Sequence, residues 1–275
     1  MPNLEVVRVC IGTEPKTEIA RKVLECSVTR HTDARVEFYP MLGKGWEYST
    51  SGIQVGTGFS LRRWMIPAFF GWQGKAIYLD ADQLVFGDIL ELWHKPAGLA
   101  VPDGTSVWCS WQTDKVYPKH PAPQTSVMVI DCAAAKSQWG WRIAEVLDHL
   151  RKTGTKEEYH KFMHAEWMTP LPARIGDEWN HLNHYVKGKT RLLHYTKEPT
   201  QPWYVPDHPL AHLWKMELQI ALNEHYVGDE EIEAAVANYG VREDWRPTNG
   251  LHPSYADFLK KRAGKYPGGK ETKSA

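Results

Sequence analysis

The stretch Ala76-Ile77-Tyr78-Leu79-Asp80-Ala81-Asp82-Gln83-Leu84-Val85 decides how the chain is read. Four consecutive apolar residues, one β-branched and one aromatic, predict a short strand covered on both faces. That strand runs straight into two carboxylates separated by one alanine. At low dielectric an unpaired carboxylate costs several kcal/mol or takes up a proton. A hard divalent cation offsets both charges at once, and aspartate oxygens are its preferred ligands. The plain alternative, Asp80 capping a turn and Asp82 solvated, fits so short a pattern equally well, so the rest of the chain must separate the two.

Upstream, Leu4 to Ile11 alternates and is rich in valine, which predicts a first strand. Gly12-Thr13-Glu14-Pro15 is a loop, and a helix follows from about Thr17, with Ile19, Ala20, Val23, Leu24 and Val28 on one face. Ala34 to Tyr39 is a second strand. Strand, helix and strand in this order predict a right-handed βαβ unit, the opening of a doubly wound sheet. Ligands of such sheets sit beyond the carboxyl ends of the strands, where both Gly12-Thr13 and Asp80-Ala81-Asp82 fall. Pro40 to Gly58 holds five glycines and reads as an irregular connection. Phe59 to Phe70 is helical in character, with Arg62 and Arg63 near its start.

Downstream, Ile89 to Trp93 predicts a helical turn and Pro96 to Pro123 a loop-rich stretch. Val127 to Ile130 is a strand ending at Asp131. Trp139, Ile143, Val146, Leu147 and Leu150 recur at helical spacing. Lys156 to Gly188 carries a weaker signal of short helices and loops. Arg191-Leu192-Leu193 is a short strand leading to His194. Leu210 to Asn223 and Ile232 to Tyr239 are amphipathic helices, Tyr255 to Arg262 reads as a third, and the chain from Lys265 onward is Gly/Lys-rich and expected to fray. There is no internal repeat and no clear linker.

Lys+Arg and Asp+Glu are 33 each, a balance that offers no electrostatic case for nucleic acid or an acidic membrane surface. No apolar run reaches the ~18 residues a membrane span needs, and the N-terminus lacks a secretory apolar region, so a cytoplasmic location is expected. Cys10, Cys26, Cys109 and Cys132 form no CxxC pair and read as reduced, buried thiols. The 13 tryptophans are read as core residues before sugar-stacking ones.

Four blocks in order then carry a resemblance: Val9-Cys10-Ile11-Gly12-Thr13, Arg63-Trp64-Met65-Ile66-Pro67, Tyr78-Leu79-Asp80-Ala81-Asp82, and His194-Tyr195-Thr196 through Pro202-Trp203, with Trp179-Asn180 ahead of the last. Over residues 4 to 214 the chain resembles the glycogenin-like nucleotide-sugar transferases of glycosyltransferase family 8. The resemblance implies the GT-A fold, an α/β architecture with a Rossmann-like mixed central sheet flanked by helices. It divides the chain into a nucleotide-sugar-binding and catalytic domain at 1–214 and a C-terminal helical extension at 215–275. The implied reaction moves a hexose from a nucleotide diphosphate sugar, usually a UDP-sugar, to an acceptor hydroxyl with retention at the anomeric carbon. A divalent cation, Mn²⁺ or Mg²⁺, held by Asp80, Asp82 and His194 would absorb charge on the departing diphosphate.

The same resemblance places Arg63 near the phosphates or the donor sugar, and Ile11, Gly12 and Thr13 against the uridine. Ala81 and Gln124 join Asp80 in the donor site. An exposed helix arginine and a simple strand-to-helix turn are the plain readings of Arg63 and Gly12-Thr13; packing is that of Trp179. His164, His181 and His184 match no role and read as surface or hydrogen-bonded core histidines. The implied partners are the donor and a glycan, lipid-linked or small-molecule acceptor, without nucleic acid or a membrane span. Tyr239, Trp245 and Tyr255 are read as packing residues or a homodimer contact before the lining of an acceptor groove.

Two departures stand out. Gln124-Thr125-Ser126 replaces the family's Asn-Ser-Gly, and the closing block is one residue longer than HxxGxxKPW, with Lys197 at the glycine and Gln201 before Pro202-Trp203. Lys197 is therefore the expected phosphate lysine, and Glu166 stands in for the family's acidic residue at the donor sugar. A transferase-fold protein that binds nucleotide or glycan without turnover is the rival reading. A phosphatase of the haloacid dehalogenase type also places a DxD at a strand end. Against it, Leu84 stands where that class has Thr or Val, and its downstream Ser/Thr, lysine and acidic pair are missing.

Overall fold

In the computed structural model, which describes residues 5–42, 59–114, 117–197, 200–205, 207–239 and 241, the central apolar stretch is a strand with Ala76, Ile77, Tyr78 and Leu79 fully buried. The main sheet is built from β1 (Val6–Gly12), β2 (Arg35–Pro40) and β3 (Lys75–Asp80). The chain then leaves it as β4 (Gln83–Val85) for a smaller sheet. It returns as β5 (Val107–Gln112), β6 (Ala122–Asp131) and β7 (Ala173–Arg174), and β8 (His181–Leu182) and β9 (Leu192–His194) complete the smaller sheet.

The main sheet has the order β2-β1-β3-β6-β5-β7 and the smaller one β4-β9-β8. β1 is parallel to β2 and β3, while β6 is antiparallel to β3 and β5, so the sheet is mixed. Helix α1 (Glu18–Arg30) joins β1 to β2 as the crossover of the expected βαβ unit. It buries Ile19, Ala20, Val23, Leu24 and Val28, the face its spacing predicts.

Register brings the two carboxylates to a seam between the sheets. Gly12 pairs with Asp80, and the Ala81 amide donates to the Gly12 carbonyl at 3.0 Å. Gln83 pairs with His194, and the Tyr195 amide donates to the Asp82 carbonyl at 3.0 Å. Ladder hydrogen bonds on both sides thus hold the Asp80-Ala81-Asp82 backbone. A Cβ at Gly12 would collide with the Tyr78 hydroxyl and the Phe59 ring, so glycine fits there for lack of room.

The remaining helices are α2 (Ile66–Phe69), α3 (Ile89–His94), α4 (Cys132–Ala135), α5 (Ile143–Thr153), α6 (Lys156–Met163), α7 (Ala211–Asn223) and α8 (Asp229–Tyr239). Trp214, Leu218 and Ala221 of α7 and Ile232 of α8 share a core cluster with Val23 and Cys26 of α1. Across this contact Arg30 forms an ion pair with Glu217, which is fully buried. Residues 214 and 215 lie within α7, inside that shared packing.

Several expectations need correcting. The stretch 96–123 is not all loop, because it holds β5, whose Val107, Trp108, Cys109 and Ser110 are all buried and show no alternation to betray a strand. β6 begins at Ala122, five residues before the expected start, so Gln124-Thr125-Ser126 lies on a strand. The helical character expected of Phe59–Phe70 takes the form of a 3-10 turn at Arg62–Met65 and a single α turn with Pro67 near its start. As expected of the stretch after Lys156, it opens with a short helix, α6, whose Thr155 and Glu158 form a capping box. All four cysteines are free and buried, as expected. Trp64, Trp139, Trp179, Trp203 and Trp214 are fully buried, in line with core roles. Residues 43–58, the expected helix at 255–262 with Trp245, and the tail from 265 lie outside the described residues. No helix among the described residues is long and apolar enough to cross a membrane.

Candidate functional site

A cavity of about 870 Å³ opens over the seam between the two sheets, lined by Asp80, Ala81, Asp82 and His194 together with Arg63, Asp114, Gln124, His164, Lys197 and Gln201. Ligand atoms of Asp80, Asp82 and His194 lie within 4.8 Å of one another. His194 Nε2 is 3.2 Å from Asp82 Oδ1. The three come together because β3 ends at Asp80, β4 starts at Gln83, and β9 is paired with β4 so that His194 faces Gln83.

Each of the three is held from behind. His194 Nδ1 lies 3.1 Å from Asn180 Oδ1, and the Asn180 amide donates to Ser110 Oγ at 3.0 Å and Ser126 Oγ at 3.1 Å. Asn180 is fully buried, so it fixes the ring with Nε2 toward the carboxylates. Gln201 Nε2 donates to Asp82 Oδ2 at 2.7 Å and to the Tyr195 carbonyl at 2.9 Å. Arg63 Nη2 donates to Asp80 Oδ1 at 3.1 Å, and the Tyr78 hydroxyl donates to the same oxygen.

Arg63 is buried under Asp80. Its Nε donates to the Ser60 carbonyl at 2.9 Å and its Nη1 to the Thr125 carbonyl at 2.6 Å, with the guanidinium 4.5 Å from the centroid of the Tyr78 ring. It is therefore not the exposed arginine of the plain reading; it holds a carboxylate. Burial raises the pKa of Asp80, with Asp82 adding to the effect and Arg63 opposing it. Burial alone would lower His194, but the facing Asp82 carboxylate outweighs it and the net shift is upward. Two crowded carboxylates beside an imidazole are short of positive charge, and their N/O donor set suits a divalent cation such as Mn²⁺ or Mg²⁺.

A second polar group lines the cavity away from this centre. Gln124 Nε2 donates to Asp114 Oδ2 at 2.8 Å, and the Tyr117 amide donates to Asp114 Oδ1 at 2.8 Å. His164 Nε2 lies 3.3 Å from Asp114 Oδ2, and its Nδ1 is 2.9 Å from the Pro123 carbonyl. Glu166 is exposed, hydrogen-bonded by the Tyr117 hydroxyl, and is not brought to the cavity. Ile11 is buried in the core and Thr13 Oγ1 lies 3.1 Å from Thr17 Oγ1 in the turn after β1; neither they nor Gly12 line the cavity. Asp114 and Lys16 are residues that sequence reasoning passed over, and it named Asn180 and Gln201 without their contacts to His194 and Asp82. Recognising β5 would have placed Asp114 just beyond a strand end.

No family model matches the chain. It is 26% identical over 233 residues to Protein CDI of Arabidopsis thaliana, covering 77% of this chain and 86% of that protein. Among solved structures it is similar to the glycosyltransferase GlyE of Streptococcus pneumoniae TIGR4, with a TM-score of 0.57 and 15% identity over 86% of this chain and 65% of that one. It is also similar to the galactosyltransferase LgtC in complex with donor and acceptor sugar analogs, with a TM-score of 0.54 and 13% identity over 87% of this chain and 99% of that one. Against the bifunctional glycosyltransferase WbbM the TM-score is 0.54 at 14% identity over 79% of this chain, which spans half of that one. At such identities the likeness is one of fold. The mixed sheet and these neighbours agree on the architecture that the resemblance to glycosyltransferase family 8 implied, and the chain has the GT-A glycosyltransferase fold.

Proposed function

We propose that the chain is a metal-dependent glycosyltransferase that moves a hexose from a nucleoside diphosphate sugar, a UDP-sugar, to an acceptor hydroxyl with retention. The observation that carries this reading is the convergence of Asp80, Asp82 and His194 on one cavity of the GT-A fold. Bound by these three, Mn²⁺ or Mg²⁺ would supply Lewis-acid stabilisation for the charge that grows on a diphosphate leaving group. Arg63 and Tyr78 keep one Asp80 oxygen occupied and Gln201 holds Asp82 Oδ2, so the cation would take Asp80 Oδ2 and Asp82 Oδ1, the oxygen that faces His194 Nε2.

Asp114 takes the donor-sugar role expected of Glu166. It lines the cavity while Glu166 does not, and a carboxylate there accepts sugar hydroxyls. Its oxygens are already engaged by Gln124, Tyr117 and His164, which suits binding better than nucleophilic attack and supports a front-face route to retention. The Asp80 oxygen tied by Arg63 and Tyr78 likewise argues against a phosphatase, whose first aspartate must attack phosphorus. A binder without turnover is the second reading, favoured by the neutral Gln201 beside the metal ligands.

Thermal unfolding with UDP, UDP-glucose, UDP-galactose, UDP-N-acetyl sugars and GDP-mannose, each with Mn²⁺ or with chelator, tests the proposal. Saturation at about 100-fold over Kd adds about 2.7 kcal/mol, a rise of several degrees. A uridine donor should give that rise only with metal, and Asp82→Asn should abolish it. Slow donor hydrolysis in the same mixtures identifies an enzyme, and a shift without hydrolysis identifies the binder. No metal-dependent response to any uridine donor rejects the UDP-sugar transferase.

A further inference from the structure

A diphosphate sugar brings more negative charge into this cavity than its metal centre cancels. Arg63 offsets one of the two aspartates, so a divalent cation leaves a single net positive charge there, against the two negative charges of the diphosphate ester. Arg63 is already committed, since all three of its nitrogens donate to Ser60, Thr125 and Asp80. Gln201, the residue that grips Asp82, is neutral.

Among the described residues the lysines that line the cavity are Lys16 and Lys197. They come from different loops, Lys16 from the 3-10 turn Pro15–Thr17 after β1 and Lys197 from the segment after β9. The two loops touch: the Tyr204 hydroxyl donates to the Lys16 carbonyl at 3.5 Å, and the Tyr204 amide donates to the Gln201 carbonyl at 2.9 Å. Gln201 in turn holds Asp82, so the turn that carries Lys16 lies against the segment that carries the metal end. The Lys16 ammonium is 3.4 Å from Glu14 Oε2, and its side chain is 38% exposed. A solvent-facing pair of this kind is weak, and a phosphate oxygen competes with it readily.

We propose that Lys16 acts with Lys197 as the diphosphate clamp of the donor site, two ammonium groups from two loops closing on the phosphate oxygens of a nucleoside diphosphate. The clamp rests on the donor reading above. It assigns a ligand contact to Lys16, which no motif in the chain marks, and gives Lys197 a partner.

Calorimetric titration of the full chain with UDP in the presence of Mn²⁺ tests it. Lys16→Met should weaken UDP about tenfold, Lys197→Met by a similar factor, and the double variant more than either alone. Lys16→Arg should stay within about twofold of the wild type, and the unliganded melting temperature of all variants should be unchanged. If Lys16→Met binds UDP as the wild type does, or Lys16→Arg loses as much as Lys16→Met, the clamp is wrong. A wild-type chain that does not bind UDP with Mn²⁺ overturns the donor reading itself, and the clamp with it.

Discussion

Arg63 meets Asp80 beneath the cavity, and Arg30 meets Glu217 between α1 and α7. Both arginines are largely buried, with side-chain exposures of 5% and 15%, and in both carboxylates burial is the leading cause of a raised pKa. They differ in what surrounds them. Arg63 is anchored to the Ser60 and Thr125 carbonyls, so its fork stays in place and Asp80 is oriented by it. Asp80 retains 14% exposure at a cavity and sits beside Asp82 and His194, while Glu217 has none and ties one helix to another. An arginine–carboxylate pair therefore lines a cavity in one place and ties two helices together in the other. Local anchoring and access to the cavity decide which.

The sharpest way to break this comparison is Arg63→Met. It leaves Asp80 buried next to Asp82 without its cation, and should cost about 3–5 kcal/mol in urea unfolding. A loss under about 1 kcal/mol would mean that Arg63 is not what holds Asp80.

A second test concerns Asn180, which holds His194 from behind at the candidate metal site. Asn180→Ala removes the partner of His194 Nδ1 and should weaken Mn²⁺ about 10- to 100-fold. Manganese titration followed by electron paramagnetic resonance reads this directly. Unchanged affinity would show that the strand pairing alone orients the imidazole.

The smallest effect is expected at the pair that ties the helices. Glu217→Gln keeps an acceptor for Arg30 and removes a charge that burial disfavours, so stability at neutral pH should change by about 1 kcal/mol or less. Its pH dependence is the more telling signature. A folded pKa above the unfolded one means the native state binds more protons, so wild-type stability falls as pH rises from the ordinary glutamate range through the raised value. Glu217→Gln lacks that fall, and the difference between variant and wild type should move in the variant's favour across the same window. A constant difference would show that Glu217 titrates no differently when folded.

Much of the frame was legible from residue patterns, and particular elements show why. β1, α1 and β3 announced themselves through alternation, helical spacing and an unbroken apolar run, because each buries a face that its own sequence must supply. β5 did not, since its residues are buried on both sides of the sheet without alternating. At the site, Asp80, Asp82 and His194 were marked by a short motif and by ordered blocks shared with a family. Gln201 was seen as a departure from such a block, but its hold on Asp82 was not, and Asp114 lay just beyond a strand that went unrecognised.

The amino-acid sequence by itself determined that β1, β2 and β3 form and that two carboxylates stand at the end of β3. Local patterning suffices there, because burial and periodicity act over a few residues. Only the tertiary structure decided that Arg63 lies under Asp80 instead of facing solvent, that Asn180 steadies His194, that Asp114 reaches the cavity where Glu166 does not, and that Lys16 sits beside Tyr204. Each of these is a contact between segments far apart in the chain. Strand register and loop packing set them, and no local spacing encodes that distance.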